Sequence, residues 1–63
     1  MIAVTRLNGT QFVVNAELIR YIESTPDTMI TLMGGEKVFV KETMEDVVER
    51  AIQYNRKIRV FDE

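Results

Sequence analysis

The stretch Tyr21-Ile-Glu-Ser-Thr-Pro-Asp-Thr-Met-Ile-Thr-Leu-Met-Gly-Gly35 sets the architecture of this chain. Two short runs rich in β-branched and aromatic residues flank Thr25-Pro26-Asp27-Thr28, which reads as a turn between two strands. Pro26 presets φ at the second turn position and holds Thr25 extended before it. Gly34-Gly35 permits the positive φ of a second tight turn, so a further strand, Glu36 to Val40, returns along Met29 to Met33.

Upstream, Ile2 to Leu7 and Gln11 to Val14 read as a hairpin about Asn8-Gly9, the strongest short-range hairpin signal because a two-residue turn of this kind needs positive φ at both positions. A two-residue loop sets Leu7 opposite Thr10, Thr5 opposite Phe12 and Ala3 opposite Val14. Asn15 caps a single helical turn or an Asx-turn before Ile19 to Ser24 enters the sheet as the third strand. Downstream the period changes. Thr43 with Asp46 three residues on matches a capping box, and Met44, Val47, Val48, Ala51, Ile52, Asn55 and Ile58 follow helical spacing. Glu45 and Asp46 in the first turn, with Arg56 and Lys57 near the last, suit the helix dipole, and Asp46 with Arg50 forms an i,i+4 pair. After Ile58 the pattern fits a frayed helix or a short strand. The expected fold is a small α+β domain spanning residues 1–63: one antiparallel sheet of about five strands in consecutive hairpins, then one C-terminal helix.

These turns sort side chains by face. Tyr21 is set opposite Leu32, Glu23 opposite Ile30, and Ile30 opposite Phe39. Ile19, Tyr21, Ile30, Leu32 and Phe39 then share one face, and Ile22, Met29, Met33, Val38 and Val40 the other. Both faces are apolar, and one helix covers one face. At 63 residues the core is marginal, and domains of this size usually need a staple or a partner. With no cysteine there is no disulfide or thiolate metal site, so self-association through Ile22, Met29, Met33, Val38 and Val40 is favoured. A sheet coiled into a small barrel is the other way to bury both faces.

The composition argues against several functions. Eight basic and ten acidic residues give a net charge of −2, too weak a field to imply nucleic acid or membrane. No apolar run approaches the roughly 20 residues of a membrane span, and no secretion signal is expected. Histidine and cysteine are absent, so the usual general base, nucleophile and zinc ligands are missing; no enzyme, cofactor or metal is expected. Glu45 and Glu49 read as solvated helix acids, and Gly34-Gly35 lacks the lysine of a phosphate loop. Met29, Met33 and Met44 read as fillers of core or interface. Arg56, Lys57 and Arg59 cluster at the helix end, where dipole complementation is the plain reading and contact with an acidic or phosphate surface the functional one.

One resemblance covers nearly the whole chain. Met1-Ile-x-Val-Thr-Arg-Leu-Asn-Gly9, Phe12, Asn15, Leu18-Ile19, Ile22-Glu23-x-Thr-Pro-Asp-Thr28, Gly35-x-Lys37, Val40-Lys-Glu42, Val47 and Tyr54-x-Arg56 resemble the FlbD family of flagellar proteins, also called SwrD after swarming motility. The resemblance implies a cytoplasmic protein that supports flagellar motility and motor output near the motor or stator, with no known catalytic residue. Its turn positions, Asn8-Gly9, Pro26-Asp27 and Gly35, have structural readings. Arg6 and Glu23, polar on strands, are candidates for partner contact or for pairing with each other, together with Arg56, Lys57 and Arg59. A weaker likeness, from Tyr21 to Val48, is to part of a LytTR DNA-binding domain, which gives the alternative of a small nucleic-acid-binding regulator of motility genes. The leading expectation is a non-enzymatic, homo-oligomeric interaction protein whose further partner is a flagellar motor or assembly component.

Overall fold

A computed structural model describes residues 1–62, with side chains described through Arg56. The five expected strands are present: β1 (Ile2–Thr5), β2 (Gln11–Val14), β3 (Ile19–Glu23), β4 (Thr28–Leu32) and β5 (Lys37–Val40). One helix follows, α1 (Met44–Asp62), so the segment after Ile58 is helical and not a strand. A 3₁₀ turn at Ala16–Leu18 joins β2 to β3, and the Asn15 side chain accepts from the Glu17 N–H to cap it, as the sequence suggests. Thr43 Oγ1 accepts from the Asp46 N–H at 3.1 Å, the N-cap half of the expected box.

The strands form two sheets, not one. β1 pairs with β2, and β3-β4-β5 form a three-stranded antiparallel sheet. Among the described residues, backbone hydrogen bonding joins the sheets where β1 and β5 end, through an Arg6–Val40 bridge and a Lys41 N–H to Thr5 C=O bond of 2.8 Å. Their inner faces fold onto one another. Ile2, Val4 and Val14 from one, Ile30 and Val40 from the other, and Val47 of α1 make a single buried cluster. Phe12, Ile19, Ile22, Leu32, Val38 and Tyr54 pack around it. The architecture thus lies between the two expected forms: the sheets bury their inner faces in one chain, and α1 lies along β1 to close the core.

Register differs from the expectation by one residue in every hairpin. Ile2 pairs with Val14 and Val4 with Phe12; Ile22 pairs with Ile30 and Glu23 with Met29; Met29 pairs with Phe39 and Ile30 with Val38. Two of the three slips share a cause. Gly9 N–H bonds Arg6 C=O at 2.9 Å, and Arg6 N–H bonds Thr10 C=O at 2.8 Å. Gly35 N–H bonds Leu32 C=O at 2.9 Å, and Leu32 N–H bonds Glu36 C=O at 2.8 Å. Both loops therefore have three residues, ending in a left-handed glycine (φ +95 at Gly9, +94 at Gly35), while Asn8 and Gly34 stay out of that region. The third hairpin turns through Thr25-Pro26-Asp27, and β3 carries an irregularity between Ile19 and Tyr21 that takes up Arg20.

A one-residue slip moves every side chain to the other face. Ile22, Val38 and Val40, expected on the uncovered face, belong to the core side, and Val40 is 2% exposed. The corrected loops also predict unequal glycines. Gly35→Ala places a Cβ in the left-handed region and costs about 1–2 kcal/mol. A Cβ at Gly34 meets only the end of the flexible Glu36 side chain. Urea unfolding should therefore find Gly34→Ala much milder than Gly35→Ala; a two-residue loop with positive φ at both glycines would make the losses equal.

Candidate interaction surface

Among the described residues, the outer face of the three-stranded sheet presents a patch of exposed apolar side chains. The register places Tyr21, Thr31 and Lys37 in one row across β3, β4 and β5, and Glu23, Met29 and Phe39 in the next. Tyr21 is 51% and Phe39 46% exposed, and Met33 stands exposed in the adjoining turn. Thr31, in the middle, is 3% exposed, and its hydroxyl has no hydrogen-bond partner. Native interiors rarely leave such a group unmet. Arg20 lies 5.8 Å from the Tyr21 ring centroid, flanking the patch with positive charge. Tyr21 and Phe39, placed by sequence on the covered side, thus take over from Ile22, Val38 and Val40, while Met29 and Met33 remain outside.

A clamp closes the edge of β1 on the two-stranded sheet. There Glu42 accepts from the Thr5 N–H and from the Thr5 hydroxyl, both at 2.8 Å. Arg50 donates to the Ala3 carbonyl at 2.6 Å and sits 3.6 Å from the Glu42 carboxylate. Arg50 is thereby drawn to the sheet edge instead of to Asp46. The two side chains do what a neighbouring strand would do for β1, one taking an N–H and one giving to a C=O. Burial raises the Glu42 pKa, but the bonds from Thr5 and from its own N–H, with the Arg50 charge, outweigh this and hold it below the usual 4.5. Tyr54 adds a second tie, donating to the Glu17 carboxylate at 3.2 Å.

The remaining candidates separate. Arg6 is exposed and its guanidinium lies 4.2 Å from the Phe12 ring centroid, on the two-stranded sheet, whereas Glu23 is on the other sheet. The Arg6–Glu23 pair does not form among the described residues. Arg56 is exposed on α1, while the side chains of Lys57 and Arg59 lie outside the described residues. A shallow groove of about 320 Å³ runs between α1 and the start of β1, lined by Met1, Ala3, Gln53 and Tyr54 among others. Its one cation, Arg50, is already committed to Ala3 and Glu42. No helix of the described residues is long and apolar enough to cross a membrane.

Because the Glu42 pKa is lowered on folding, its contribution is present above the unfolded value near 4.5 and is lost as pH falls through the folded one. Glu42→Gln should cost on the order of 1 kcal/mol at neutral pH. Denaturation of both proteins across pH should show the gap closing below pH 4.5; a gap independent of pH would remove the charge from the argument. Thr31→Val, which deletes the unpartnered hydroxyl at constant shape, should raise the thermal midpoint.

A sequence model of the family described as flagellar and swarming motility proteins, FlbD, matches residues 1–59. No curated protein and no solved structure matches the chain.

Proposed function

Since the chain belongs to the FlbD family of flagellar and swarming motility proteins, we propose that it is a non-catalytic interaction protein of the flagellar system. It supports motor output by protein–protein contact, as a homo-oligomer, from the cytoplasmic side of the motor. The observation that carries the contact reading is the outer sheet face, where Phe39 stands beside Met29 and Tyr21 occupies the opposite corner, both rings about half exposed. Aromatic and methionine side chains on an open surface are the composition of interface centres. Arg6, Arg56, Lys57 and Arg59 are the polar candidates for the further partner, a motor or assembly component, and they lie away from this face or at the helix end.

The reading is tested in a motile strain. Deleting the gene should leave filaments intact and weaken swimming torque, and the wild-type copy should restore it. A Phe39→Ser copy that keeps its circular dichroism and thermal midpoint should restore little, because truncating an interface anchor typically costs about 2 kcal/mol or more of binding. Normal torque in the deletion strain, or full rescue by Phe39→Ser, would remove the proposal.

A further inference from the structure

We infer that the outer sheet face is occupied by the same face of a second copy, related by a two-fold axis running along the Tyr21–Phe39 diagonal. This rests on the contact reading above and names its occupant. The argument is one of pattern. The six outward residues form a grid of three strands by two rows: Tyr21 and Glu23 on β3, Thr31 and Met29 on β4, Lys37 and Phe39 on β5. The aromatic rings occupy one diagonal, and the opposite charges Glu23 and Lys37, both exposed, occupy the other. From ordinary strand geometry the grid is about 10 Å across and about 7 Å along.

A surface that binds its own copy across a two-fold axis must be complementary to itself. Rotation about the aromatic diagonal keeps each ring over its own counterpart. Tyr21 meets the partner's Tyr21 and Phe39 meets the partner's Phe39, and a lean of each ring off the axis gives the offset or edge-to-face contact that such rings favour. The same rotation exchanges the charged corners. Each Glu23 comes to within about 4 Å, measured in the plane, of a position over the partner's Lys37, a gap that a lysine stem spans. The strands of the two copies then cross at about 70°, close to orthogonal sheet packing. An axis along the strands or across them puts each charge over an aromatic ring instead, so the diagonal is the arrangement that satisfies both ion pairs. The contact covers Thr31 and Met29 on the middle strand, and it is small, at the low end of specific interfaces below about 1,200 Å² in total.

The test is charge reversal read by sedimentation equilibrium from micromolar to millimolar concentration. The wild-type protein should reach dimer mass. Glu23→Lys and Lys37→Glu should each weaken dimerisation by about tenfold or more, because both ion pairs become like-charge contacts, while the thermal midpoint of the dilute protein stays unchanged. An equimolar mixture of the two variants should form dimers as well as the wild type does, since every reversed charge faces its opposite on the other variant. A wild-type chain that stays monomeric, reversals without effect, or a mixture no better than its components would overturn the inference. A monomeric wild type combined with failed rescue by Phe39→Ser would keep the face in use and remove the second copy as its occupant. Dimers broken by charge reversal in fully motile cells would uphold the second copy and remove the contact reading of motility.

Discussion

Two glycines in the left-handed region govern the rest of this structure. Gly9 and Gly35 end three-residue loops, and the loop length fixes which residue of each strand faces its neighbour. In a sheet the side-chain period is two, so that choice decides the composition of the interior. With Gly35 in place, Ile30 and Val40 point inward with Val38, and Met29 and Phe39 point away. A loop shorter by one residue would bury Phe39 and expose Val38 and Val40. Among the described residues the core is a cluster of six buried apolar side chains, a small reserve with which to override such an error.

Much of this was legible in the residues. Asn15 announced the short 3₁₀ turn, Thr43 the start of α1, and Asn8-Gly9, Pro26 and Gly34-Gly35 the three hairpin turns. Loop length was harder to read because Asn-Gly and Gly-Gly suit two turns. One needs positive φ at both residues and the other only at the second, and the two differ by one residue of register. The irregularity at Arg20 leaves no compositional trace, since any exposed side chain tolerates it. The open sheet face was therefore expected to carry Ile22, Val38 and Val40, which turn inward, whereas Tyr21 and Phe39 stand there beside Met29 and Met33.

The edge clamp was illegible for a different reason. Helix-pairing rules are local, and they join Arg50 to Asp46 four residues earlier. The structure offers Arg50 something better, a bare carbonyl on β1 and a carboxylate already held by Thr5. A backbone acceptor together with the partly buried Glu42 carboxylate competes well against the solvated Asp46, because an exposed ion pair is worth little. The separation of one five-stranded sheet into two follows from the same chemistry. Beyond the Arg6–Val40 bridge the Thr5 N–H and the Ala3 C=O are taken by side chains and not by β5.

That clamp also has a consequence for biosynthesis. The residues that close the edge of β1 lie 37 and 47 positions after the groups they satisfy. A chain emerging from the ribosome completes its first hairpin long before Glu42 and Arg50 are available. During that interval β1 is an open template on which another nascent hairpin can add. Closure of this edge therefore comes late, with Glu42 and the first turns of α1. It does not build the sheet, but ends the period in which the sheet can recruit the wrong strand.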